Sequence, residues 1–288
     1  MATKQALVLG KWALLPSVAV LAAWSFVPLA LTIYFAFLRY NLQDPENTGW
    51  AGFSNFYYFF KDPYFWKDLL NTILLVAGTI VTTVVGGVLL ALLLDQKFWG
   101  RGIVRLLVIA PFFIMPTVSA LVWKNLIMHP VFGLFAGIQR FFGSHQPIDW
   151  FGKFPLFSVG MVVSWQWLPY AALILLTALQ SLDEEQKDAA AMDGTSTLNY
   201  FRYILLPHLA RPITVVILIE TIFLLNIFAE IKVTSVGGFA GNLTYLVFSQ
   251  LNDATDVGMA AAGGLIAVVL ANIVSAFLVR MVGKNLEA

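Results

Sequence analysis

Residues 181–212 read SLDEEQKDAAAMDGTSTLNYFRYILLPHLARP, and how this stretch is read decides how the rest of the chain must fold. It is the most polar part of the sequence. Asp183, Glu184 and Glu185 place negative charge where a helix would begin, which suits the positive end of its dipole. Ala189, Ala190 and Ala191 favour helix strongly, and Gly194, directly after Asp193, can take the left-handed conformation that ends one. Residues 200–205 resume an apolar helical pattern before Pro207 and Pro212 punctuate it. The expected form is a helix, a turn and a second helix outside any membrane. Such a pair is too short to be stable alone. It is either completed by a partner's groove or an ordinary surface hairpin, and local physics does not separate the two.

On both sides the chain turns apolar. A helix rising 1.5 Å per residue needs about 20 apolar residues to cross a hydrocarbon core of about 30 Å. Six stretches qualify: 14–38, 69–94, 103–128, 155–179, 213–233 and 259–282. Over the whole chain 59% of residues are hydrophobic and 11% charged, against roughly 25% charged in soluble domains. The apolar surface must therefore face lipid. The expectation is one all-α integral membrane domain, 1–288, with six transmembrane helices. The first stretch is too long for the core of a cleaved signal and reads as a retained helix. Residues 39–68 read as an exposed loop with interfacial aromatics such as Phe56, Tyr57, Tyr58, Tyr64 and Trp66. Residues 129–153 read similarly.

With six spans both termini share a side. Lys4, Lys11, Lys97, Arg101, Arg105, Lys187, Arg202, Arg211, Arg280 and Lys284 fall on it, ten of the 17 Lys and Arg. Three of them crowd the short turn after the second span. The positive-inside bias places both termini, and residues 181–212 with them, in the cytoplasm.

Several function classes drop out. A net charge of +1 makes no electrostatic case for nucleic acid. The absence of cysteine rules out disulfides, iron–sulfur clusters and Cys-ligated zinc. His129, His145 and His208 are scattered without metal-ligand spacing, and no metal site is expected. No G-x-x-x-x-G-K-[ST] phosphate loop occurs, so the chain cannot hydrolyse ATP by that machinery.

Polar residues inside spans are costly and point to function. On the fifth stretch lie Glu220, Asn226, Glu230 and Lys232. In a continuous helix Asn226 and Glu230 would share a face, with Phe223 one turn earlier. An amide, a carboxylate and an aromatic face suit a sugar ring. Equally, Glu230 and Lys232 could be interfacial and Asn226 could bond a neighbouring helix. On the fourth stretch Trp165, Gln166, Trp167, Pro169 and Tyr170 form either an interfacial belt or a cavity lining with Gln166 inward. Pro111 and Pro116 permit a kink in the third. Gly86 and Gly87 permit close helix packing in the second.

The polar stretch resembles the EAA loop of ABC-importer permeases. Ala189, Ala190, Asp193, Gly194, Phe201, Ile204, Leu206, Pro207 and Pro212 match that pattern at its fixed offsets, and Asp188 stands where the family has Glu. Six spans, a loop between the fourth and fifth, and the Thr234, Gly237, Gly238 turn extend the likeness to the MalF-type carbohydrate permeases over essentially the whole chain. GIVRLLVIAPFFIMPTVSALVWKNLIMHPV (102–131) and SWQWLPYAALILLTALQSLDEEQ (164–186) are most similar to permeases of sorbitol/mannitol (polyol) importers. Positions that are asparagine in maltose-transporting relatives are here Leu224 and Ile227.

The resemblance implies a type I ABC importer fold in the bacterial inner membrane. It implies a coupling loop, 181–212, docked on a cytoplasmic ATPase through Asp188, Ala189, Ala190, Asp193, Gly194, Phe201 and Pro207. It implies a substrate pathway including Phe223, Asn226, Glu230, Gln166, Trp167 and Tyr170. Partners would be a second homologous permease, two ATPase subunits that carry ATP and Mg, a periplasmic solute-binding protein and a small carbohydrate. No catalytic residue and no cofactor are expected in this chain. A sulfonated sugar is the alternative substrate. An ion-coupled secondary transporter would call for internal repeats and midplane carboxylates, and the sequence offers only Glu220. A membrane enzyme would call for an assembled nucleophile, base or metal set.

Overall fold

The computed structural model describes residues 4–286. The ends of the expected domain, Met1–Thr3 and Glu287–Ala288, lie outside the described residues, as do the side chains of Leu278, Val279, Met281 and Val282 in the sixth stretch. The chain is helical nearly throughout and divides into two compact units, one of residues 1–65 with 246–269, the other of residues 66–245 with 270–288.

The first unit opens with α1 (Lys4–Ala36), whose apolar side chains in residues 14–36 are almost all exposed. Phe37 and Leu38, counted above in the first span, leave the helix. Leu38 begins a hairpin of β1 (Leu38–Asn41) and β2 (Asp44–Trp50), with Leu38 opposite Trp50 and Asn41 opposite Asp44. This corrects the all-α expectation locally. The Asn41 side chain accepts from Gln43 N at 2.8 Å and makes the turn, a local bond that competes with helix. α2 (Ser54–Phe60) follows. Its buried Asn55 donates to the Ala36 and Leu38 carbonyls at 2.9 and 2.7 Å, satisfying groups left open where α1 ends.

The second unit is built on three long helices. These are α3 (Phe65–Asp95), α8 (Pro155–Gln180) and α11 (Leu206–Leu224). At Gly86 an added Cβ would come 2.8 Å from Leu168, and at Gly87 2.9 Å from Ala171, so the two glycines let α3 and α8 approach as expected.

The third stretch is not one straight helix. α4 (Arg101–Ile109) runs into a tight turn, Ala110–Phe113, and α5 (Pro116–Val122) continues through a π turn, Trp123–Ile127. The two halves meet at 107°. Pro116 opens α5, and Met115 before it is extended (φ −58°, ψ 137°), as a residue preceding proline prefers. The short helices α6 (Leu134–Phe141) and α7 (Trp150–Lys153) lead to α8.

After α8 come α9 (Glu184–Met192) and α10 (Thr197–Tyr200). A π turn, Phe201–Leu205, joins α10 to α11, so the helix runs from Thr197 to Leu224 without a break. Pro207 and Pro212 sit inside it. Pro207 falls in the first turn after the π segment, where its missing N–H costs least. The fifth stretch ends at Leu224, not 233. Residues 225–228 are non-helical before α12 (Ala229–Thr234), α13 (Gly237–Ala240) and α14 (Leu243–Asn252), and α15 (Val257–Leu286) closes the chain. The freed Leu225 and Ile227 carbonyls accept from Thr244 Oγ1 (3.0 Å) and Asn242 Nδ2 (2.6 Å). Among the described residues five helices are long and apolar enough to span a membrane, or six with the bent pair as one span.

Candidate functional site

Two buried apolar clusters hold the second unit together. One includes Leu75, Val76, Val162, Val163, Leu224 and Ile231; the other includes Val88, Leu94, Leu175, Leu179, Leu205 and Leu209. Along α3, α8 and α11 the polar residues Thr79, Thr83, Gln166, Tyr170 and Glu220 fall between these clusters in sequence. Facing lipid, the amide, phenol and carboxyl among them would lack partners, so they turn inward.

At this level a cavity of about 300 Å³ opens, lined by Phe112, Ile114, Pro116, Gln166, Trp167, Tyr170, Ile219 and Phe223. Its aromatic wall is continuous. Phe112 stacks on Tyr170 at 5.9 Å between ring centres, Trp167 meets Phe112 edge-on at 5.8 Å, and Phe223 lies 5.3 Å from Trp167. Gln166 is 5% exposed, and its Nε2 donates to the Ile114 carbonyl at 2.8 Å. That carbonyl belongs to the break in the third span, so one side chain both satisfies the break and lines the cavity. Among the described residues the Gln166 Oε1 and the Tyr170 hydroxyl have no hydrogen-bond partner. An aromatic wall with a few unused polar atoms is a form suited to small, hydroxyl-rich molecules.

Four of the six residues expected on the pathway, Gln166, Trp167, Tyr170 and Phe223, thus meet at one cavity. Asn226 and Glu230 do not join them. The chain breaks helix between these two residues, so the shared face expected of them does not exist. Asn226 is exposed and donates to the Ile222 carbonyl at 2.9 Å, while Glu230 is 5% exposed in the first turn of α12. Asn226→Ala is accordingly expected to leave uptake within about threefold of wild type, the cost of one exposed hydrogen bond of about 0.5 kcal/mol. Transport at matched membrane levels checks this, and a loss beyond tenfold would return Asn226 to the pathway.

Sequence reasoning missed Phe112, Ile114 and Ile219, although the bracket Pro111 to Pro116 carried the signal for the first two. It also missed the partner of Glu220. This fully buried carboxyl accepts from Thr83 Oγ1 at 2.6 Å and links α11 to α3. Leu224 and Ile227 are buried in the apolar cluster and do not line the cavity.

Of the residues expected in the coupling loop, Asp188 to Gly194 form the end of α9 and the turn after it, while Phe201 opens the π turn and Pro207 lies in α11. Thr195 N donates to Ala190 O and Gly194 N to Ala191 O, both at 3.1 Å, while Gly194 takes φ +65°. These are the two bonds of a Schellman end to α9. Ala190 is buried, whereas Asp188, Ala189, Met192 and Asp193 are exposed. Phe201 packs against the second apolar cluster, and Pro207 is exposed at the start of α11.

The family model for binding-protein-dependent transport system inner membrane components matches residues 83–287. A probable ABC transporter permease protein of Sinorhizobium fredii is 31% identical over 81% of this chain and 75% of its own length. A trehalose/maltose transport system permease of Thermococcus litoralis is 28% identical, covering 91% and 89%. A sulfoquinovosyl glycerol transport system permease of Agrobacterium fabrum is 26% identical, covering 93% and 88%. Among solved structures, a bacterial ABC transporter involved in alginate import has a chain of the same fold, with a TM-score of 0.82 at 20% identity over 96% and 95% of the two chains.

Proposed function

Because the chain belongs to the family of binding-protein-dependent transport system inner membrane components, we propose that it is the multi-pass permease of an ATP-driven importer that carries a small carbohydrate, of the sugar-alcohol class, across the bacterial inner membrane. The observation that carries this reading is the aromatic cavity with its unused Gln166 and Tyr170 polar atoms. About 300 Å³ lies at the small end of the ~300–1,000 Å³ typical of ligand sites, which favours a single short unit over an oligosaccharide. No lysine or arginine lines it, so a sulfonated sugar would find no cationic partner there. Relatives named for trehalose, maltose and sulfoquinovosyl glycerol support the broader carbohydrate class.

In this reading both termini and residues 181–212 are cytoplasmic. Asp188, Ala189, Ala190, Asp193, Gly194, Phe201 and Pro207 form or brace the surface that docks on an ATPase subunit. Two such subunits, carrying ATP and Mg, a second homologous permease and a periplasmic solute-binding protein complete the importer. Nucleotide-driven closure of the ATPases shifts the population between inward- and outward-facing states, and the substrate is moved without covalent change. Gln166, Trp167, Tyr170 and Phe223 line its path, while Asn226 and Glu230 flank the helix break beyond.

Uptake of labelled sorbitol and mannitol by the assembled importer, competed with trehalose and sulfoquinovosyl glycerol, tests the substrate class. Saturable polyol uptake resistant to the two larger compounds is expected. Robust trehalose uptake with no polyol uptake would overturn the finer assignment.

A further inference from the structure

Several helix ends are tied together at a hydrogen-bonded knot distinct from the cavity. Arg101 opens α4 and Arg105 follows one turn later, so both leave the same face of the helix. With the Gln180 amide turned so that its oxygen faces them, that oxygen accepts from Arg101 Nη2 at 3.0 Å and from Arg105 Nη2 at 2.8 Å. Arg105 Nη2 also donates to the Leu94 carbonyl at 3.3 Å. Gln180 is the last residue of α8 and Leu94 the second-last of α3, so the knot fixes both helix ends to the start of α4. His208 Nε2 lies 2.8 Å from the Ala178 carbonyl and 3.3 Å from Ser181 Oγ, which fastens α11 to the same end of α8.

The knot stands at the root of residues 181–212 and at one end of a rod. α4 runs nine residues, about 13 Å at 1.5 Å each, before passing directly into the turn that carries Phe112. The turn ends at Ile114, whose carbonyl is held by Gln166. One end of the rod is therefore pinned beside the loop, and the other forms a wall of the cavity. Hydrogen bonds from guanidinium are stronger and more directional than neutral ones, and one oxygen shared by two of them leaves little play.

We infer that Arg101, Arg105 and Gln180 are positioning residues for transport, carrying a displacement of the 181–212 loop into α4 and so to Phe112 and Ile114 at the cavity. The inference rests on the reading of that loop as the ATPase dock. The knot transmits motion and makes no part of the dock itself, which separates it experimentally from the loop.

The test uses the assembled importer in proteoliposomes, measuring ATPase subunits retained, ATP hydrolysed and substrate taken up per ATP. Gln180→Leu removes the shared acceptor, Gln180→Asn withdraws it by one methylene, and Gln180→Glu keeps an acceptor for both guanidiniums. The leucine and asparagine variants are expected to retain their ATPase subunits and hydrolyse ATP, with uptake per ATP lower by about fivefold or more, the lower end of measured couplings between sites. Glutamate restores it. Wild-type uptake per ATP in both the leucine and asparagine variants overturns the inference, as does loss of ATPase subunits from both, or a glutamate variant as poor as leucine. Failure of the underlying loop reading has a separate signature: Gly194→Val would keep its ATPase subunits and its uptake, whatever Gln180 does.

Discussion

Gly194→Val is expected to cut ATP-driven uptake at least tenfold and to weaken retention of the ATPase subunits while the chain still inserts in the membrane. Gly194 sits at φ +65°, where a residue with a Cβ is strained; the left-handed region costs an L-residue about 1–2 kcal/mol and a β-branched one more. A cost of about 1.4 kcal/mol is tenfold in an equilibrium. The strain falls on a weak element, because α9 has nine residues and only Ala190 is buried. Relieving it breaks the bonds from Thr195 and Gly194 to the end of α9, and the exposed face from Asp188 to Asp193 loses its shape. The membrane-embedded helices do not depend on that turn, so insertion survives. Gly194→Asn is the control, since asparagine tolerates the left-handed region best after glycine. It should keep most of the uptake. Valine at wild-type level, or asparagine as poor as valine, would remove the turn from the coupling role.

Gln166→Leu is expected to lower uptake by about tenfold or more with the ATPase subunits still bound. The substitution is close in volume, so packing of α8 is largely kept, but the donor to Ile114 O is lost. The part-buried Ile114 carbonyl is then left without its protein partner, and a buried group left unpaired costs about 1–3 kcal/mol. The 107° break therefore loses the bond that satisfies it, and Phe112 and Ile114 shift at the cavity wall. The unused Oε1 is lost as well, and with it a contact for a substrate hydroxyl. Uptake measured beside retention of the ATPases separates this effect from that of Gly194. Uptake equal to wild type would exclude Gln166 from both the break and the path.

The broken spans divide what could be read from what could not. Pro111 and Pro116 announced an irregular third span, because proline removes a donor and biases the residue before it wherever it stands. The break after Leu224 has no such sign. It is held by Asn242 and Thr244, which lie 15 and 19 residues from the carbonyls they satisfy. That bond pattern is tertiary, and it separated Asn226 from Glu230, which spacing alone had set on one face. The hairpin of residues 38–50 escaped for another reason. Its polar, turn-rich sequence fits a loop as well as a short strand pair.

By itself the sequence determined that this chain lives in lipid and that its most polar stretch is a helix, a turn and a helix ended at Gly194. Both follow from local chemistry: apolar length against bilayer thickness, and one residue free to take positive φ. Only the tertiary structure decided which polar groups meet. It joined Gln166 to Ile114, Thr83 to Glu220 and Gln180 to Arg101 and Arg105. Where no water can satisfy a polar group, its partner is set by which helices are brought together, and that depends on packing between segments far apart in sequence.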